Sequence, residues 1–273
     1  MKSLLDRLND YSADPDFVYH FTTLELALRS IIPNSQLRFG RFQDMDDPYE
    51  TEYLIEAIVV DGDNIKRHSN NQSLLNILRG NCRIKCFCED TPYDPKAARD
   101  FTLNKGYAKT RMWSQYGDFH KGVCLVFSRK RLESALEADK MVSHHFPMQK
   151  VEYNDERFRN LKNVLGEKLI DAEEVKTYLL EHKDDLLFLK NEDYRDEDES
   201  RLCITDYDSE SDCYINFGDA LECCILGYKH DQLFDPVIEK LHKNTHVQFY
   251  NLNWWQGKPY LCWTDRIASE STI

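Results

Sequence analysis

The run Gly122-Val-Cys-Leu-Val-Phe127 carries no charge and nothing more polar than a thiol. It is too short for a helix of ordinary length, and with no polar alternation neither face can meet water, so it reads as a central strand buried on both sides. Such a strand requires a sheet with covering layers. Arg83-Ile-Lys-Cys-Phe-Cys88 reads as a second strand, with Ile84, Cys86 and Cys88 alternating onto one buried face.

The remaining chain supplies the layers. After Phe17-Val-Tyr19, the stretch Thr22-Thr-Leu-Glu25 has the form of a capping box opening a helix through Leu24, Leu28 and Ile31, which Pro33 ends. Gln36-Leu-Arg-Phe-Gly40 alternates like a short strand. Asp47-Pro-Tyr-Glu50 repeats the capping logic, with proline at the first helical position of a helix through Tyr53, Leu54, Ala57 and Ile58. Part of 95–116 is expected to be helical. From 155 to 190 helical spacing dominates (Leu161, Val164, Leu165, Leu169, Val175, Leu179, Leu180, Leu186), which predicts a helical insertion. Strands at 201–205 and 220–227, a helix at 231–242 and a strand at 246–252 close the chain. Strands and helices mix without a regular βαβ alternation, and no repeat or proline-rich linker interrupts them. The expectation is one α+β domain over 1–273, with a mixed, largely antiparallel central sheet flanked by helices.

The formal net charge of −13 over 273 residues disfavours loose, sequence-blind binding of nucleic acid, although a local basic patch remains compatible with it. Asp6, Arg7 and Asp10 break up the apolar residues of the N-terminus, so no signal-peptide core forms, and no apolar run is long enough to span a bilayer. The expected location is cytoplasmic, with no membrane partner. Nine cysteines, an odd number that includes adjacent Cys223 and Cys224, point to reduced thiols rather than a disulfide framework. Cys82, Cys86 and Cys88 lack paired zinc-ligand spacing, so buried thiols are favoured over a metal.

Several clusters carry chemistry, each beside a plainer reading. His20, where a strand meets a helix start, can donate to a ligand hydroxyl or simply satisfy a neighbouring carbonyl. Arg38 and Arg41 flank Gly40 as a pyrophosphate would require, and short basic pairs are also ordinary surface. Asp44, Asp46, Asp47 and Glu50 can hold Mg²⁺ or act as caps. Trp113 and Tyr116 lie three apart, able to stack on a flat cation or to fill the core. Finally, if 197–204 is a strand, Glu197, Glu199 and Arg201 share one face, either as a catalytic edge or as the wet side of a half-exposed strand.

Taken in order, Tyr19-His-Phe-Thr22, Leu37-Arg-Phe39, Asp46-Asp-Pro-Tyr-Glu50, Cys86-Phe-Cys88, Met112-Trp-Ser-Gln-Tyr-Gly-Asp-Phe-His-Lys-Gly122, and Lys190 with Tyr194, Glu197, Glu199 and Arg201 resemble the bacterial domain-of-unknown-function family 2971 over nearly the whole chain. The Met112 block is the most specific part. The family usually has asparagine where Asp46 stands and tryptophan where Tyr194 stands. More distantly, Tyr-His-Phe-Thr followed much later by Glu-x-Glu resembles the ADP-ribosyltransferase superfamily.

That resemblance implies an ADP-ribosyltransferase-like fold and an enzyme for which NAD is the substrate and no metal is needed. It transfers ADP-ribose to an unknown protein or nucleic-acid acceptor, or hydrolyses NAD, in bacterial defence or toxicity. Under it Glu199 holds the nicotinamide ribose and Glu197 orients the acceptor. NAD contacts fall to Tyr19, His20, Thr22, Arg38, Arg41, Trp113, Tyr116, His120 and Arg201. Two other readings stay open: a Mg²⁺-dependent nuclease or phosphodiesterase using the Asp44 cluster, and a non-catalytic nucleotide-binding module.

Overall fold

The computed structural model describes residues 2–10, 12–45, 47, 50, 82–92, 96, 101–142, 144–157, 177, 179–205 and 212–263. The strands are β1 (Phe17–Thr22), β2 (Gln36–Arg41), β3 (Arg83–Cys88), β4 (Val123–Ser128), β5 (His144–Lys150), β6 (Glu152–Tyr153), β7 (Leu189–Lys190), β8 (Glu199–Thr205), β9 (Cys213–Asn216), β10 (Leu221–Leu226), β11 (Gln248–Trp255) and β12 (Lys258–Trp263). The α-helical segments are α1 (Leu4–Leu8), α2 (Leu24–Leu26), α3 (Ile32–Asn34), α4 (Thr110–Gln115), α5 (Arg129–Ala138), α6 (Lys183–Leu187) and α7 (Asp235–Asn244).

The architecture is α+β, with a large, mostly antiparallel open sheet ordered β12-β11-β10-β4-β1-β3-β2-β9; β8 joins β3 and β5 joins β8. Within this sheet the β10–β11 pair is parallel. The apolar β4 is interior, and its two faces enter different cores. Val123, Leu125 and Phe127 pack with Leu24, Leu28, Leu132 and Ile238, while Cys124 and Val126 pack with Phe17, Tyr107 and Trp113. Full burial of side chains such as Leu125 and Phe127 contributes about 1.5–3 kcal/mol each, which explains why this strand tolerates no charge.

Several elements depart from the sequence expectation. The N-cap is Thr23, whose hydroxyl accepts from Leu26 N–H at 3.3 Å; Thr22 is strand, and Glu25 pairs with Arg29 instead of closing a box. Pro33 lies within the helical stretch, behind a π-turn at Ala27–Ile31. A π-turn shifts the backbone ladder by one residue, which accommodates a proline that neither donates nor tolerates the i−4 carbonyl. The helix ends two residues later, at left-handed Ser35 (φ 52°).

The predicted insertion ends in a strand: Leu189 and Lys190 form β7, parallel to β6, and α6 precedes it. Residues 158–176 and 178, and the helix through Tyr53, Leu54, Ala57 and Ile58, lie outside the described residues. None of the nine cysteines is in a disulfide.

One irregularity positions the site. β3 pairs with β8 along its whole length, from Arg83 to Cys88. Its opposite edge is divided: Arg83 and Ile84 pair with β2, Cys88 pairs with Tyr19 of β1, and Lys85, Cys86 and Phe87 have strand partners only on β8. β1 and β2 therefore part along β3 and leave a seam in the sheet.

Candidate active site

The seam adjoins a cavity of about 500 Å³. β1 contributes Tyr19, His20 and Phe21, β3 contributes Cys86 and Phe87, and α4 with its C-terminal turn contributes Met112, Gln115 and Tyr116. Lys190, Tyr194, Glu197 and Glu199 complete the lining with Asp44, Met45, Asp47 and Glu50. His20 and the two glutamates, about 180 positions apart in sequence, thus line one cavity.

A buried ionic chain runs along it. Lys190 Nζ lies 2.8 Å from Glu197 Oε2 and 2.9 Å from Glu199 Oε2. Arg201 donates to both oxygens of Glu199, at 2.6 and 3.2 Å, to the Leu187 carbonyl at 2.7 Å, and lies 2.6 Å from Glu50 Oε1. None of Glu197, Lys190, Glu199, Arg201 and Glu50 is more than 4 % exposed. Charges this deep persist only when paired, and three carboxylates share two cations here. Burial works against ionisation of Glu199, but Arg201 and Lys190 outweigh it and hold its pKa down at about 2. For Glu50 burial dominates and, with the neighbouring Glu199 charge, raises it to about 7 despite Arg201 and Lys190. Burial would lower Lys190, yet Glu199, Glu50 and Glu197 together raise it above its usual range.

The local backbone explains why Glu197 and Glu199 meet one lysine. Glu197 ends a 3₁₀ helix (Glu192–Glu197), Asp198 is left-handed (φ 44°), and β8 begins at Glu199. The pair is therefore the product of a turn and not of simple strand alternation. Asp198 is tied outward to Lys109 and to the Thr91 hydroxyl, and the Glu199 N–H donates to the Tyr153 hydroxyl oxygen at 2.8 Å. The expected half-exposed strand is absent: β8 is buried throughout, because β5 and β3 flank it and the ionic chain neutralises one face.

His20 is held across the seam. Its Nδ1 lies 3.3 Å from the Cys86 carbonyl oxygen and its Nε2 2.8 Å from Lys85 Nζ. A carbonyl only accepts and an ammonium only donates, so His20 is the neutral Nδ1–H tautomer. Burial, then the Lys85 charge, hold its pKa well below the usual value, and burial lowers Lys85 to about 8. Both ring nitrogens are occupied, so His20 presents its ring to the cavity and has no spare donor for a ribose hydroxyl, which corrects the expected contact.

The other proposed contacts divide sharply. Tyr116 reaches the cavity, and its hydroxyl donates to Glu197 Oε1 at 3.0 Å. Tyr19 also lines the cavity, with its ring fully buried against Gly106 and Tyr107. Trp113 is core: its Nε1 donates to the Tyr107 carbonyl at 2.7 Å, and its ring meets Phe21 edge-on at 5.0 Å. His120 stacks on Trp113, Thr22 stays in the strand, and Arg201 lies behind Glu199. Trp113, His120, Thr22 and Arg201 do not line the cavity, nor do Arg38, which pairs with Asp212 at 3.2 Å on the surface, and Arg41. The Met112 block is largely architectural. Gly122 and Gly227 leave no room for a Cβ, which would fall 2.3 and 2.2 Å from backbone oxygens of Thr22 and His120.

Asp44, Asp47 and Glu50 face the same cavity, while Asp46 lies outside the described residues. Glu50 pairs with Arg201 instead of capping. Among the described residues no group of three or more His, Cys, Asp or Glu side chains is arranged to hold a metal ion. Cys82 and Cys88 are buried, but Cys86 lines the cavity, its thiol pushed up by burial and the nearby Glu199. Lys190 is the site residue to which sequence reasoning assigned no role. Its signal is legible: a single cation closing the apolar run Leu186-Leu-Phe-Leu189 must be buried with a counter-charge.

The arrangement defines an α+β protein with an acidic, aromatic-lined cavity at a sheet seam. Residues 112–202 match the family described as "Protein of unknown function (DUF2971)", the family that the motif order resembles. The matched stretch carries Tyr116, Lys190 and both glutamates, and is narrower than the motif series, which begins at Tyr19. No curated protein and no solved structure matches the chain. Among the described residues no helix is long and apolar enough to cross a membrane.

Proposed function

We propose that this protein cleaves the bond between nicotinamide and ribose in NAD and passes ADP-ribose to a macromolecular acceptor or to water. The observation that carries this reading is the convergence of His20, Glu197 and Glu199 on one cavity. Breaking a glycosidic bond builds positive charge on the sugar, and buried carboxylates beside the ring lower the cost of that charge. Glu199 accepts from Lys190 and twice from Arg201, and its remaining partner is the Cys86 thiol, a weak donor that a ribose hydroxyl would displace. Glu197, held by Tyr116 and Lys190, is less occupied and orients the acceptor nucleophile. Phe21, Phe87 and Tyr194 line the cavity and give a planar leaving group an aromatic surround, the Tyr194 ring itself lying under Lys190 at 4.4 Å.

The diphosphate, repelled by five lining carboxylates (Asp44, Asp47, Glu50, Glu197, Glu199), stays outside the cavity in this reading. The test is incubation of purified protein with NAD labelled in the adenylate part, with and without cell extract. Release of free nicotinamide, with label moved to a macromolecule or to free ADP-ribose, supports the reading. Intact NAD in both conditions, from folded protein, rejects it; saturable NAD binding without turnover would instead indicate a binding module.

A further inference from the structure

The ionic chain leaves a specific vacancy of charge. With Glu50 ionised, Glu197, Glu199 and Glu50 carry three negative charges against two on Lys190 and Arg201, and each carboxylate except Glu50 has both oxygens engaged. Glu50 is 2 % exposed and lines the cavity; its Oε1 is ion-paired with Arg201 at 2.6 Å, its Oε2 has no ionic partner, and neither oxygen completes an aligned hydrogen bond among the described residues. A buried carboxylate oxygen without a donor is costly to maintain, so a wall that presents one calls for a donor from elsewhere.

We propose that Glu50 Oε2 is a subsite for a positively charged, hydrogen-bond-donating planar group entering the cavity; under the function proposed above, on which only the identity of the group rests, this is the pyridinium carboxamide end of NAD. Aromatic rings line the same cavity, among them Phe21, Phe87 and Tyr116, and suit a delocalised cation. A phosphate or carboxylate group would be rejected there, since Asp44, Asp47, Glu197 and Glu199 line the same space.

The subsite also exchanges charge. The groups facing Glu50 are Arg201 and Glu199 from β8 and Lys190 from β7, and their balance with burial places Glu50 near neutrality in pKa. An entering cation stabilises the ionised form, so it displaces the Glu50 proton to solvent: one positive charge enters and one leaves. Cation binding then weakens as pH falls below about 7 and levels off above it.

Two probes separate charge from shape: 1-methylnicotinamide, a permanent cation with the carboxamide, and nicotinamide, its neutral counterpart. Neither has a ribose bond to cleave. Calorimetric titration is expected to give about tenfold tighter binding of the cation at pH 8 than at pH 6, with proton release, and no such change for nicotinamide. Glu50→Gln is expected to fold, because it leaves two carboxylates against two cations, and to lose both the preference for the cation and its pH dependence. Equal affinity for the two probes, binding of the cation that ignores pH, or no binding by folded wild-type protein would each overturn the subsite. The two proposals fail separately. Glu50-dependent cation binding with intact NAD removes the proposed reaction and keeps the subsite, whereas NAD cleavage with a Glu50→Gln variant that retains cation preference does the reverse.

Discussion

Replacing Lys190 with methionine tests whether the ionic chain is a mutually dependent unit. Methionine keeps most of the length and removes the charge that sits 2.8 Å from Glu197 and 2.9 Å from Glu199. At an effective dielectric constant near 20, each contact represents roughly 6 kcal/mol of gross attraction, most of which offsets the cost of dehydrating the ions. The loss on removing one partner is about 3–5 kcal/mol, because stranded buried charges remain. The strain falls unevenly. Glu199 retains its two-point contact with Arg201, whereas Glu197 retains only the Tyr116 hydroxyl. Lys190→Met is therefore expected to lower unfolding stability by about 3–5 kcal/mol in urea titrations at pH 7. Adding Glu197→Gln should recover at least about half of that loss, since a neutral amide needs no counter-ion. A loss under about 1 kcal/mol, or a double variant no more stable than the single one, would show that water or backbone movement already screens these charges, and the argument from burial would fall.

Further expectations concern the other members of the chain. Glu199→Gln should reduce nicotinamide release by about a thousandfold or more in folded protein, and full activity would remove its assigned role. Wild-type stability contributed by Glu199 is present above its normal value of 4.5 and lost as pH falls towards 2, so acid unfolding of Glu199→Gln should lack that component. Glu50 has the opposite sign: its raised pKa favours the fold below 4.5, and stability is lost as pH rises through about 7. Glu50→Gln should thus melt higher than wild type at pH 8, by a gain on the order of 3 kcal/mol, and show no gain at pH 4; equal melting at both would refute the assignment. Gly227→Ala should cost about 3 kcal/mol or more, measured by denaturant unfolding, because its Cβ would lie 2.2 Å from the His120 carbonyl oxygen.

The elements most legible from sequence were those whose pattern is dictated by burial on both faces. β4 is apolar because both cores need it, β3 gives Phe87 to one core and Cys88 to the other despite Arg83 and Lys85, and β8 and β10 lie within a residue or two of their expected bounds. β5 is not legible because His144-His-Phe-Pro-Met-Gln-Lys150 is mostly half-buried or exposed, with Met148 alone buried, and lies at the sheet margin, where little selects an apolar alternation. The site was half legible. Glu-x-Glu and His20 stand out by residue type, but the role of His20 depends on Lys85 and the Cys86 carbonyl, 65 and 66 positions away, which no local window contains. Trp113 misled for a physical reason: a large aromatic beside a polar motif has the same composition whether its ring meets a ligand or, as here, Phe21 and the Tyr107 carbonyl.

The divided edge of β3 has a mechanical corollary. On this edge half of the sheet, from β12 through β1, is stitched to β3 by the Tyr19–Cys88 register pair and by the His20 bridge. A molecule lodged alongside that joint would act as a brace, resisting the parting of β1 from β3. Occupants of the cavity should consequently announce themselves by raising the melting temperature, even when they are never turned over.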